Sequence, residues 1–347
     1  MKLIRGLFII IALWSIQSAV LARPQVVNVF IWGDYLPQSV IHDFEKETGI
    51  HVNYSEYDSN ETMYAKLKSS PTVSYDVIVP SDYFVDRMRK QGMLQSFDKS
   101  QLPNWKNLNP ALLNRPYDPN NQYSVPYLWG TVGIVVNKKY LSPNQVTSWA
   151  DLWRPQYKNS LEMLDDMRQV FSMALISLGY SVNDSNPQHI EQAYLKLKSL
   201  LPNIKLFNSN ATHSIYIDED AWLGINFSGD TYRDAAENSN LVYIYPKEGF
   251  VIWIDNMAIP KGAPHLQNAY KFINFILRPE NAAKIALAES YVSPNLTAMQ
   301  KLIPANLRND PTFNPSQEVL NRGQSLIDLG KANTIYAKYW EKLKVGG

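Results

Sequence analysis

Apolar and polar positions fall into a strand–helix rhythm through the first third of the chain. An apolar run over 26–31 reads as a strand that ends in Trp32-Gly33-Asp34-Tyr35. Pro37 opens a helix running through Glu47, with Gly49 as its stop. Residues 50–54 alternate at period two, the mark of a half-buried strand. Asp58 and Glu61 are spaced as a capping box for a helix through Lys68. Residues 76–80 form a short buried strand, and Ser81 caps a helix over 82–91 closed by Gly92. This βαβαβα order predicts a mostly parallel sheet with right-handed crossovers.

A Pro/Asn-rich stretch over 103–122 carries no convincing element and reads as surface loop. Tyr127-Leu128-Trp129-Gly130-Thr131 leads into an apolar strand over 132–136. Ser148 caps a short helix ending near Arg154, and 161–164 is strand-like before Asp165-Asp166. Helices follow over 167–178 and 187–200, then β-rich segments over 222–227, 241–245 and 251–259. The pattern closes with helices over 266–277, 280–288, 316–329 and 334–343. There is no internal repeat, and no Gly/Ser linker divides the chain. Two lobes without a linker predict strands crossing between them, the hinge arrangement of bilobal binding proteins.

The N-terminus does not belong to this pattern. Lys2 and Arg5 precede an apolar run from Leu7 to Leu21, and Val20-Leu21-Ala22 offers small residues for cleavage. This is the layout of a secretory signal peptide over 1–22, too short for a membrane span. With zero cysteines there is no lipid attachment site and no disulfide, so a released periplasmic protein is expected, stabilised by its core. Cleavage removes two bases and no acid and leaves a net charge of −1, which gives no footprint for nucleic acid. The remaining chain is long enough for two lobes.

Catalytic and metal chemistry find little support. The five histidines are scattered and thiols are absent. No nucleophile elbow or phosphate loop occurs. Asp165 and Asp166 are adjacent on an extended segment and point opposite ways. Acids and rings are numerous enough that a secreted carboxylate-dependent hydrolase stays as the alternative. No cofactor is expected. What recurs is acids, hydroxyls and rings at strand ends. Trp32, Asp34 and Tyr35 are the first such cluster. The others are Ser81 with Tyr83, Asp166 with Gln169, Phe227 with Asp230, Trp253 with Asp255, and Tyr291. Strand ends are where open α/β sheets hold ligands, and a carboxylate beside ring faces suits an organic cation. Trp253 and Asp255 share one strand face, so a ring and a costly buried carboxylate meet on one surface.

The chain resembles the periplasmic spermidine/putrescine-binding proteins of ABC-type polyamine transporters over essentially its whole mature length. The resemblance is carried by Glu45-Lys46-Glu47-Thr48-Gly49-Ile50, by Ser59-Asn60-Glu61-Thr62-Met63-Tyr64-Ala65-Lys66-Leu67 and by Tyr75-Asp76-Val77-Ile78-Val79-Pro80-Ser81. Val146-Thr147-Ser148-Trp149-Ala150-Asp151-Leu152-Trp153, Pro246-Lys247-Glu248-Gly249 and Phe275-Ile276-Leu277-Arg278-Pro279 continue it. It implies an α/β, bilobal periplasmic-binding-protein fold of two mixed-sheet lobes joined by crossing hinge strands. Lobe one would take 23–132 and 254–299, lobe two 133–253 and 300–347. It also implies a monomeric receptor that passes a polyamine to an inner-membrane permease. Trp32, Asp34, Tyr35, Ser81, Tyr83, Asp166, Trp253, Asp255 and Tyr291 match the family's contacts. Gly33-Asp34 stands where the spermidine-preferring pattern has Thr-Glu, Gln169 where both family patterns have Glu, and Phe227 where Trp is usual. Asp34 and Gly229-Asp230 follow the putrescine-preferring one, so the ligand's length stays open. A receptor of the same fold for another small cation or a metal is a further alternative; one for iron would need clustered tyrosines or histidines with an anion site, and only Tyr83 and Tyr291 come near that.

Overall fold

The computed structural model describes residues 25–69, 74–209 and 211–345. The expected signal peptide over 1–22 lies outside them. Among the described residues no helix is long and apolar enough to cross a membrane.

The strands are β1 (Val26–Trp32), β2 (His51–Tyr57), β3 (Val77–Ile78), β4 (Val125–Asn137), β5 (Leu161–Met163), β6 (Ile204–Phe207), β7 (Leu223–Phe227), β8 (Leu241–Ile244), β9 (Phe250–Met257) and β10 (Gly323–Ser325). The first seven helices are α1 (Gln38–Thr48), α2 (Asn60–Ser69), α3 (Asp82–Lys90), α4 (Met167–Ser177), α5 (Pro187–Leu200), α6 (Thr212–Ile217) and α7 (Ser228–Glu237). The rest are α8 (Leu266–Ile276), α9 (Pro279–Glu289), α10 (Leu296–Lys301), α11 (Ala305–Arg308), α12 (Gln317–Leu320) and α13 (Asn333–Lys344).

One sheet is parallel in the order β2-β1-β3, as the opening rhythm predicts. The second is mixed, in the order β10-β9-β4-β7-β5-β6, with β8 also on β4. Every residue of β4 and of β9 is buried, which is why both read as apolar runs rather than alternating ones. β9 joins the sheets. Its flank Ala258 exchanges both backbone hydrogen bonds with Ile78 of β3, at 2.8 and 2.9 Å, while its body pairs with β4. Helices cover both sheets. Phe44 of α1 packs edge-on against Phe272 of α8 at 5.2 Å, and Phe171 of α4 against Tyr336 of α13 at 5.1 Å.

Several sequence expectations need correction. Ser59, not Asp58, caps α2: its hydroxyl accepts from the Thr62 amide. The stretch 103–122 contains a series of 3₁₀ turns, each opened by proline with its fixed φ. The helix expected over 316–329 is only the single turn α12, and β10 then pairs parallel with β9. There Gly323 lies against Ile252, where an added Cβ would sit 2.3 Å from the side chain. Sheet pairing overrides the local helical pattern. β4 begins at Val125, seven residues earlier than the apolar run, and carries a register shift after Pro126. β6, α6, α7 and α10 carry no sequence signal strong enough to have been called.

Candidate functional site

Segments from along the whole chain, from Trp32 to Glu341, converge on one cleft of about 1170 Å³ between the sheets. All twelve residues singled out from the sequence line it: Trp32, Asp34, Tyr35, Ser81, Tyr83, Asp166, Gln169, Phe227, Asp230, Trp253, Asp255 and Tyr291. The reason is topological. β1, β3, β5 and β7 each end at the cleft, and α3, α4 and α7 begin there.

Asp255 lines the cleft from near the end of strand β9. Ser81 Oγ donates to its Oδ1 at 2.6 Å and Tyr35 Oη to its Oδ2 at 2.9 Å. Ser81 stands at the N-cap of α3 as the sequence predicts, but its side chain makes no cap hydrogen bond and turns to Asp255. Asn60 orients it instead: its Nδ2 donates to Ser81 Oγ at 3.1 Å and to Tyr83 Oη at 3.3 Å, and its Oδ1 accepts from the Ser81 amide at 3.1 Å. Tyr35 is fixed from behind by Tyr127, which donates to its carbonyl at 2.5 Å. Burial pushes the Asp255 carboxyl up to about 6, against the two hydroxyls that favour its charged form.

Rings wall this carboxylate. Trp253 meets Tyr291 edge-on at 4.9 Å and Phe227 at 6.0 Å, and Tyr35 meets Tyr291 at 6.2 Å. Two glycines permit that packing. A Cβ on Gly130 of β4 would lie 2.6 Å from the Trp253 ring, and one on Gly229 would lie 2.4 Å from the Tyr291 ring. Trp32 stands outside this group, its Nε1 donating to the Val79 carbonyl at 3.0 Å and its ring tilted on Tyr57 at 4.9 Å. Asp34 is exposed at the rim with φ of 50°, a left-handed conformation that a short polar side chain tolerates.

The remaining acids lie to either side. Asp166 caps α4, accepting from the Gln169 amide at 3.0 Å, and burial raises its pKa. Asp165 turns outward to Lys344 at 2.6 Å. On the other side Asp230 pairs with Arg233 at 3.0 Å, and burial raises its pKa too. Among the described residues, Gln169 Oε1 and Trp253 Nε1, buried in the wall, find no hydrogen-bond partner.

Sequence reasoning missed Asn60, Glu61, Asp82, Arg168, Arg233 and Glu289, all of which line the cleft. Only Asn60 and Glu61 lie within a segment the sequence had flagged for family resemblance; the others are single charges on helices or beside flagged residues. Eleven carboxylates and two arginines line the space, so its field favours a cation. Among the described residues no group of three or more His, Cys, Asp or Glu is placed to hold a metal.

The spermidine/putrescine-binding periplasmic protein of Salmonella typhimurium is 47% identical over 315 residues, 91% of this chain and 90% of that one. The putrescine-binding periplasmic protein of Pseudomonas aeruginosa is 35% identical over 344 residues, 94% of this chain and 93% of that one. A solved putative spermidine/putrescine ABC transporter from Listeria monocytogenes superimposes with a TM-score of 0.87 at 38% identity, covering 92% of this chain and 99% of that one. With the two sheets flanking a cleft, this likeness makes the fold the mixed α/β, bilobal one of periplasmic binding proteins. The model of the bacterial extracellular solute-binding protein family matches residues 39–315, and the chain belongs to that family.

Proposed function

We propose that this chain is a periplasmic receptor that captures a polyamine, spermidine and/or putrescine, in its cleft and delivers it unaltered to an inner-membrane ABC-type permease. One observation carries the reading. Asp255 is a buried carboxylate walled by aromatic rings and bonded only to neutral hydroxyls. A buried carboxylate without a cation is unfavourable, and an ammonium group with methylenes on either side supplies both the charge and the apolar stem. The similarity to proteins named for spermidine and putrescine supports the same ligand class.

In this reading residues 23–132 and 254–299 form one lobe, and 133–253 and 300–347 the other. β4 and β9 carry the chain between them near Gly130 and Trp253, and the lobes close on the ligand. Residues 1–22 are removed on export, the receptor works as a monomer, and it needs no cofactor. Micromolar affinity requires about −8 kcal/mol, within reach of a few partly desolvated ion pairs and buried methylenes.

Calorimetry with putrescine, spermidine and spermine tests the ligand class. Binding of at least one below about millimolar is expected, and failure of all three overturns the reading. Mass spectrometry of the ligand after incubation separates a receptor from a hydrolase: the polyamine must return intact.

A further inference from the structure

The cleft's acids differ in whether the protein already supplies them with a cation. Asp255 has none, only the Ser81 and Tyr35 hydroxyls. Asp166 accepts backbone amides and lies close enough to Glu61 for the two to repel. Its neighbour Arg168 attracts Asp166 and Glu61 through space but makes its hydrogen bonds elsewhere, donating to the Ile327 and Val182 carbonyls and to Asn183 Oδ1 at 3.1 to 3.3 Å, so neither carboxylate is paired with it. Asp230 is different. Arg233, one turn further along α7, holds Nη2 3.0 Å from its Oδ1. The Tyr291 ring leaves no room for even a methyl group on Gly229, the residue before Asp230 at the helix start. The backbone that carries Asp230 is therefore packed tightly against the aromatic wall. Glu289, at the end of α9, adds a second carboxylate that attracts Arg233 to this side.

Two acidic stations thus stand open to a ligand ammonium, Asp255 and Asp166 with Glu61. The third, Asp230, is held by a resident guanidinium. We propose that Arg233 is a specificity-determining residue that reserves the Asp230 station, so that the cleft prefers a linear diamine to a triamine. An ammonium arriving at Asp230 must displace a bound guanidinium or share one carboxylate with it, and like charges at that separation repel strongly outside bulk water. A diamine needs only the open stations and leaves the Arg233–Asp230 pair intact. The inference rests on the polyamine reading above and settles the ligand length that the mixed pattern at Gly33, Gln169, Phe227 and Asp230 leaves open.

The test is calorimetry of wild type, Arg233→Gln and Arg233→Lys with putrescine and with spermidine at one ionic strength. Arg233 is half-exposed on a helix, so both variants should fold, and matched melting curves check this. Wild type is expected to bind putrescine more tightly. Arg233→Gln should tighten spermidine at least fivefold while putrescine moves less than twofold, and Arg233→Lys should keep the wild-type ratio. A wild-type preference for spermidine overturns the assignment. So does an Arg233→Gln variant that leaves spermidine unchanged, or that tightens both ligands equally. If wild type binds neither of these nor spermine, the ligand class itself falls and this assignment with it; if it binds spermine alone, the assignment falls and the ligand class stands. If wild type binds and only the variants misbehave, the ligand class stands and Arg233 loses its role.

Discussion

Replacing Asp255 by asparagine separates two effects that the buried carboxylate combines. In the free protein it is 6% exposed, its partners are two hydroxyls, and burial pushes its pKa from 3.8 to about 6. A carboxyl raised on folding contributes stability at low pH that is lost as pH climbs from the unfolded value through the folded one. By pH 7.5 that loss is complete, and its ceiling over this interval is about 3 kcal/mol. Asparagine avoids it. Its Oδ1 can accept from one hydroxyl and its Nδ2 can donate to the other. The free variant should therefore melt higher than wild type at pH 7.5, and the difference should vanish near pH 4. The ligand sees the opposite change. A unit charge about 4 Å from an ammonium is worth roughly 4 kcal/mol at an effective dielectric near 20. Part of this is offset by the carboxylate's own desolvation, so a net loss between about 1.4 and 4 kcal/mol is expected, ten- to several-hundred-fold in Kd. Wild-type affinity should also weaken as pH falls below about 6, where Asp255 takes up a proton, while the variant's affinity stays flat there. Calorimetry across pH 5 to 8 with parallel melting curves reads both signs. A variant that binds within threefold of wild type, in a normally folded protein, refutes the placement of a ligand ammonium at Asp255.

Removing the Tyr35 hydroxyl as Tyr35→Phe deletes one donor to Asp255, and should raise the carboxyl's pKa further, seen by NMR titration, and weaken polyamine binding about three- to tenfold in calorimetry. Gly130→Ala forces a methyl group into the Trp253 ring, which should destabilise the fold by about 1–3 kcal/mol in urea and alter the near-ultraviolet circular dichroism of the tryptophan. Glu162 is fully buried, bonded to Tyr216 at 2.7 Å, and burial raises its pKa well above the usual carboxylate range. Its contribution is therefore lost as pH rises from its unfolded value, and Glu162→Gln should gain stability over wild type at pH 8 relative to pH 4; an unchanged difference in urea unfolding between the two pH values would count against a protonated Glu162.

Much of the cleft was legible because its residues sit where strand periodicity stops. Trp32 to Tyr35, Ser81, Asp166 and Phe227 each follow an apolar run that marks its own end. Asp255 was legible as a polar interruption of such a run. Arg233 and Glu289 were not. Each is a single charge on an amphipathic helix, indistinguishable in one dimension from a solvated face, and only the tertiary fold turns it inward. α7 escaped because it leaves β7 with no loop between: Phe227 ends the strand and stands as the helix cap. The segment 316–329 misled for the converse reason. Its local pattern favours a helix, but the open edge of β9 offers Gly323–Ser325 a backbone ladder that one helical turn cannot match.

The seamless join of β7 to α7 also bears on how such a receptor can be redesigned. Asp230 and Arg233 ride on a helix that starts without slack, whereas Trp253 and Asp255 are built into the strand that links the two sheets. Substitutions on the exposed turns of α7 and at the end of α9 change the charge one wall presents while leaving the load path between the sheets untouched. A library aimed at new cargo should begin on those two helices, and should treat β9 as chassis rather than upholstery.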